Sequence, residues 1–140
     1  MYLLDTNVIS ELRKAETRRA DRNVKAWVAK ADSGSMFLSV VTLMELELGT
    51  LLMERRDRAQ GVALRLWLES QVLTAFTGRI LAVDTRVAQR CSALHVPNPR
   101  SERDAFIAAT ALVHGMTVVT RNTSDFEGTG AALLNPWTSA

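Results

Sequence analysis

A chain of 140 residues, 47% apolar and 23% charged, has enough apolar material for a packed core, which excludes disorder as its default state. No apolar stretch approaches the roughly 18 residues of a membrane span, and a single cysteine, Cys91, excludes an internal disulfide. The net charge is only +2, but arginine outnumbers lysine 14 to 3. Guanidinium groups pair bidentately with phosphate, so nucleic acid stands as a partner beside the plainer reading of an arginine-rich soluble protein.

Tyr2 to Leu4 reads as a short buried strand that begins almost at Met1. No basic and apolar leader precedes it, so a cytoplasmic protein is expected. Asp5-Thr6-Asn7 ends the strand, and Val8 to Arg13 opens a helix. Residues 14–23 are polar and read as a solvated loop or exposed turn. Val24, Trp27, Val28 and Ala31 then form an i, i+3, i+4, i+7 stripe. Asp32 to Ser35 is a turn, and Met36 to Leu38 a second strand.

Thr42 begins a long helical stretch, with capping-box spacing to Glu45. A charged connection, Glu54 to Arg58, leads to a second helix from about Ala59 to Phe76. The two make a helical hairpin over about 42–76 with more apolar residues than one narrow face needs, which points to a protein partner or a homodimer. Ile80 to Val83 is a third strand, and Asp84-Thr85 caps a helix carrying Val87, Cys91 and Leu94. Ser101 caps a further helix from Glu102 to His114, closed by Gly115. Met116 to Thr120 is a fourth strand, and Leu133-Leu134 a final short one. Strands alternating with helices imply a parallel α/β sheet in a single domain over 1–140.

Four acids lie far apart in this pattern: Asp5, Glu45, Asp104 and Asp125. Each has a plain explanation as a helix cap, a capping-box partner or an Asx-turn residue. Together they read differently. In a parallel sheet the C-terminal ends of the strands lie along one edge, where α/β folds place their sites. Asp5 would sit there against low-dielectric core, at a cost in free energy unless a cation compensates. Carboxylates gathered at one point raise each other's pKa, and a divalent metal removes that penalty. An oxygen-rich pocket of this kind suits Mg²⁺ or Mn²⁺ and phosphodiester chemistry.

The motifs are Leu3-Leu4-Asp5-Thr6-Asn7-Val8-Ile9-Ser10-Glu11-Leu12, Ser39-Val40-Val41-Thr42-Leu43-Met44-Glu45-Leu46-Glu47-Leu48-Gly49, Arg103-Asp104-Ala105-Phe106-Ile107-Ala108-Ala109-Thr110-Ala111 and Val118-Val119-Thr120-Arg121-Asn122-Thr123-Ser124-Asp125-Phe126. With Leu133-Leu134-Asn135-Pro136-Trp137 at the end, the chain resembles a PIN-domain ribonuclease of the VapC/FitB-like toxin type over essentially its whole length. The resemblance implies a three-layer PIN-like fold, with a central mostly parallel sheet of four to five strands flanked by helices. It implies a metal-dependent endoribonuclease, the toxin of a type II toxin–antitoxin system. The family's acidic quartet falls on Asp5, Glu45, Asp104 and Asp125. Its polar helpers fall on Thr6 or Asn7 and on Thr120 and Asn122. Asp5 and Asp104 are the expected metal ligands, with Glu45 and Asp125 completing or tuning the site, and Arg121 is placed to touch a phosphate or to be an ordinary surface arginine. A cognate antitoxin, an RNA substrate, and a homodimer within a larger toxin–antitoxin assembly are the implied partners.

Other chemistries find less support. The two histidines, His95 and His114, both end predicted helices and read as structural rather than as a general acid/base pair. Cys91 falls on an apolar stripe and reads as core. There is no glycine-rich phosphate loop or nucleophile elbow, and no Cys/His cluster for zinc. A phospho-accepting receiver domain would need a lysine after a late strand, and Lys30 is the last lysine. The alternative that stands is a catalytically silent PIN-type module that binds RNA or protein. The intact acidic quartet argues against it.

Overall fold

The computed structural model describes residues 1–14 and 19–138. Part of the polar stretch after α1 (Thr6–Arg13), residues 15–18, thus lies outside the described residues, as do residues 139–140, and the end of that stretch is not loop but the start of α2 (Arg22–Lys30), capped by Asp21. Five strands, β1 (Tyr2–Leu4), β2 (Met36–Ser39), β3 (Ile80–Leu81), β4 (Thr117–Val119) and β5 (Ala132–Leu134), form one sheet in the order β3-β2-β1-β4-β5. The expected sheet was mostly parallel; all four pairings are parallel. Chain order reverses on either side of β1. β2 lies to one side and β4 to the other, so a topological switch point opens at the C-terminal ends of β1 and β4.

Short apolar strands suit this sheet because both its faces are covered. Leu4 and Val119 point into one layer with Val8, Ile9, Leu38, Leu46, Leu68 and Val72. Their neighbours Leu3 and Val118 point into the opposite layer with Ile107, Ala108, Ala111 and Phe126. The alternation is the pleat of the strand, and it gives the expected three layers. The second helical layer thickens where α6 (Thr85–Leu94) packs on α7 (Glu102–His114) through Val87, Cys91, Ala105 and Ala109. Cys91 is therefore core, as its stripe implied. His95 ends α6 by accepting the Arg100 backbone N–H on Nδ1 at 3.1 Å. It thus holds the loop before α7, in keeping with the structural reading of this histidine.

The helical hairpin forms from α3 (Val40–Arg56) and α4 (Arg58–Trp67). The helix of α4 continues through a π-helical segment, Leu68–Val72, into α5 (Leu73–Ala75). The start of the hairpin differs from expectation. The N-cap of α3 is Ser39, whose hydroxyl accepts from the Val41 N–H at 3.0 Å, so the helix starts two residues before Thr42. Thr42 is fully buried and Glu45 belongs to the second turn, so the two form no capping box. The shift follows from a serine at the last strand position, which offers its oxygen sooner. Ser101 is the N-cap of α7 as expected, though its side chain makes no capping hydrogen bond, and Asp104 stands in the first turn.

Gly61 lets the hairpin close. A Cβ there would lie 2.4 Å from Cα of Glu54 on the facing helix. Arg65 then bridges the pair, reaching Glu47 at 2.6 Å and Glu54 at 3.0 Å. The outer face leaves Met44, Leu48, Leu51, Leu52, Val62 and Leu66 exposed, so the apolar surplus read from the sequence is on the surface. Glycine to alanine inside a helix ordinarily gains about 1 kcal/mol. Gly61→Ala should instead cost about 1–3 kcal/mol, the usual penalty of overpacking. Urea unfolding measures this, and a variant as stable as the parent would show that the helices separate freely.

Candidate active site

Asp5 is the first residue beyond β1 and stays in its ladder, its N–H donating to the Val119 carbonyl at 2.9 Å. It is only 7% exposed. A carboxylate so placed needs donors, and the chain supplies them locally and from β4. The Thr6 N–H donates to Oδ1 at 2.8 Å, and the Thr120 hydroxyl donates to Oδ2 at 2.8 Å. Asn7 Nδ2 approaches the same Oδ2 at 3.4 Å and Thr120 Oγ1 at 3.3 Å. Asp5 is thus both the N-cap of α1 and a member of the acidic cluster. The two readings of its sequence position are compatible because Oδ1 serves the cap while Oδ2 is held by Thr120 and Asn7 on the side of the site.

Glu45 arrives from α3. Its Oε1 accepts the Thr6 hydroxyl at 2.8 Å, and Arg103 Nη1 lies 3.6 Å from Oε2. Asp104 is presented by the first turn of α7. Asp5, Glu45 and Asp104 line one cleft of about 450 Å³, together with Thr6, Asn7, Arg121 and Asn122. Asp125 is exposed in the short 3₁₀ turn Thr123–Phe126 and is not part of that lining. It is nevertheless close enough for its charge to act on both Asp5 and Asp104. Thr120 lies behind Asp5, fully buried, where its hydroxyl also accepts the Asn122 N–H at 3.0 Å. Arg121 is fixed through its backbone, whose N–H donates to Asn7 Oδ1 at 3.2 Å, and its guanidinium lies 5.4 Å over the Trp137 ring.

Four residues of this cleft were missed in the sequence: Ser10, Glu11, Lys14 and Trp137. The first three follow Asn7 at i+3, i+4 and i+7, so the helical period of α1 carried their signal. Arg103 was quoted only as part of a motif. Its contact with Glu45 is visible only once α3 and α7 are side by side.

The electrostatics are those of a crowded acidic site. Burial raises the Asp5 carboxyl above its ordinary value, and the charges of Glu45 and Asp125 add to this, while the hydrogen bonds from Thr120 and Thr6 pull it back. Burial also raises Asp104, followed by the charges of Asp5, Asp125 and Glu45. Among the described residues, no three His, Cys, Asp or Glu side chains stand ready as a closed ligand set. Asp5, Glu45 and Asp104 line an open cleft instead. Carboxylate, hydroxyl and amide oxygens around an open cleft fit a hard divalent cation that keeps several waters and takes only one or two protein carboxylates. They do not fit zinc, and both histidines and Cys91 lie outside the cleft lining.

These charges make a prediction about pH. Because the Asp104 carboxyl is raised in the folded chain, the folded state binds its proton more readily than the unfolded state does, and stability falls as pH rises through that interval. Asp104→Asn should therefore raise Tm at neutral pH in chelator, and the gain should shrink as pH falls into the carboxylate range. Scanning calorimetry across pH tests this. A variant less stable than the parent at pH 7 would show that the carboxylate is stabilised where it sits.

Comparison with known proteins agrees with this geometry. The family model for the PIN domain matches residues 2–131. The chain is 40% identical to the VapC ribonuclease Y4jK of Sinorhizobium fredii over 145 residues, covering all of both chains. It superposes on the crystal structure of FitAcB from Neisseria gonorrhoeae with a TM-score of 0.88 and 35% identity, covering 98% of this chain and 99% of that one. A toxin–antitoxin complex from Klebsiella pneumoniae gives a TM-score of 0.69 and 26% identity, over 97% and 98% of the two chains. With its sheet order, its three layers and its acidic cleft at the switch point, this chain belongs to the PIN-domain family.

Proposed function

We propose that this chain is a divalent-metal-dependent endoribonuclease, the toxin component of a type II toxin–antitoxin system, hydrolysing RNA phosphodiester bonds. One observation carries the proposal: Asp5, Glu45 and Asp104 line a single cleft, with the charge of Asp125 acting on it. The full-length likeness to a chain named as a VapC ribonuclease supports the reaction class. The whole chain acts as one PIN domain.

Asp5 and Asp104 would hold the cation, with Glu45 and Asp125 completing the negative field. When bound, a divalent cation supplies positive charge against the carboxylates and Lewis acidity toward water and phosphate oxygen. Mg²⁺ is the expected ion and Mn²⁺ an alternative, since both take oxygen donors. The chain's own residues keep the cleft in shape. The Thr120 hydroxyl and the Thr6 N–H fix the Asp5 carboxylate from two sides, and Thr6, whose hydroxyl donates to Glu45, ties the second carboxylate to the first. Asn7 holds the backbone of Arg121, whose guanidinium is the group at the rim best suited to a phosphate oxygen. With these contacts preset, little reorganisation is needed when substrate arrives.

The partner of this chain is a cognate antitoxin, in keeping with the toxin–antitoxin complex among its structural neighbours. The exposed apolar residues of α3 and α4 provide surface for that protein and for a homodimer within a larger assembly. No helix among the described residues is long and apolar enough to cross a membrane, and the site of action is the cytoplasm. A silent RNA- or protein-binding module is the competing reading. It leaves four mutually repelling carboxylates without a use.

RNA cleavage by antitoxin-free protein, with Mg²⁺, with Mn²⁺ and with EDTA, tests the proposal. Cleavage should need the metal and be lost in both Asp5→Asn and Asp104→Asn, by about 100-fold or more, on the scale of removing one preorganised electrostatic group. Cleavage that survives EDTA would overturn the mechanism.

A further inference from the structure

Beside the acidic cleft lies a second cavity of about 530 Å³, lined among the described residues by Arg13, Arg19, Leu46, Gly49, Leu64 and Trp67. The two cavities share Thr6, Ser10, Lys14 and Glu45, so they are immediate neighbours. Its walls pair apolar and aromatic surface with cations. The guanidinium of Arg13 lies 6.0 Å from the centre of the Trp67 ring, and Arg19 is exposed at the edge.

Gly49 is the informative residue here. It stands in the middle of α3, where glycine costs about 1 kcal/mol relative to alanine. Packing among the described residues does not require its bare backbone, because a Cβ at Gly49 would meet none of their atoms within 4 Å. Gly61 is the contrast, since there a Cβ would strike the facing helix. Gly61 serves packing. What the absent side chain at Gly49 preserves is the open volume of the groove.

We infer that this groove is a subsite for single-stranded RNA, taking the nucleotide next to the scissile phosphate with its base against Trp67 and a phosphate on Arg13. The inference rests on the ribonuclease reading and adds to it where the strand runs. A substrate reacting among the carboxylates must continue beyond them, and the groove is a neighbouring cavity that shares Glu45 with that cleft. Its chemistry is that of a single-strand binder, an aromatic platform beside arginine. A duplex would present paired bases with no free face to such a platform.

The test is binding of a labelled, mixed-sequence, single-stranded RNA oligonucleotide to the non-cleaving Asp104→Asn protein, followed by fluorescence anisotropy. Adding Gly49→Ala and then Gly49→Leu should weaken binding progressively, by about tenfold for leucine, the scale of losing one stacked base. Tm should stay at or above that of the Asp104→Asn parent, which separates a filled groove from a damaged fold. Arg13→Gln should lower the slope of log affinity against log salt by about 0.7, as for one phosphate contact on a single strand. Unchanged affinity in both Gly49→Leu and Arg13→Gln overturns the subsite. So does Gly49→Leu that binds RNA normally but no longer binds the antitoxin, since the groove would then belong to the protein partner. Binding does not depend on cleavage, so failure of the nuclease reading would appear separately, as a parent chain that cuts no RNA in divalent metal.

Discussion

A carboxylate buried at the end of the central strand sets the terms for the rest of this molecule. Asp5 lies where β1 leaves the sheet, at 7% exposure, and a lone charge there would cost several kcal/mol. Three constraints follow. The next residue must present its N–H, so α1 starts at once and uses Asp5 as its N-cap. The adjacent strand must offer a hydroxyl, which Thr120 supplies from the end of β4. The remaining oxygen surface must look into an open cleft. The chain reversal between β2 and β4 around β1 opens that cleft.

The other acids are then placed by elements that have their own reasons to be there. Leu46 anchors α3 in one core layer, and the preceding residue, Glu45, is carried to the cleft, where Thr6 and Arg103 meet it. Ala105, Ala108, Ala109 and Ala111 let α7 approach the sheet and α6 closely, and Asp104 arrives with its first turn. Packing thus assembles a cluster whose charges oppose one another. That is unfavourable in isolation, and it is how functional sites commonly depart from the optimum for stability. The same hairpin that delivers Glu45 also leaves the groove at Gly49 and Trp67 beside it, so one carboxylate and the proposed substrate track come from one structural unit.

The outer face of that hairpin shows how stability and assembly share a sequence. Arg65 locks α4 to α3 through Glu47 and Glu54 on a polar seam, and Gly61 sets their spacing. The leucines at 48, 51, 52 and 66 are not needed for that contact and remain in solvent. An apolar surface of this kind on a small chain is surface for another protein.

The sequence by itself determined the alternation of strands and helices, the burial of Leu3, Leu4, Val118 and Val119, and the acidic quartet at the ends of elements. Hydrophobic period and polar punctuation are local properties, and they survive folding unchanged. The mid-helix glycines were equally visible, but their meanings were not. Only the facing helix distinguishes Gly61, with Glu54 at 2.4 Å, from Gly49, with no atom of the described residues near. Tertiary structure alone decided that Ser39 rather than Thr42 begins α3, that Thr120 and Thr6 share the task of holding Asp5, that Arg103 meets Glu45, and that Asp125 acts through its charge from outside the lining of the cleft. Each of these, the start of α3 apart, depends on contacts between segments distant in the chain, and hydrogen bonds and charges act through space rather than along the sequence. Ser39 is local, and there the capping-box spacing at Thr42 misled because an earlier cap oxygen was available at the end of β2.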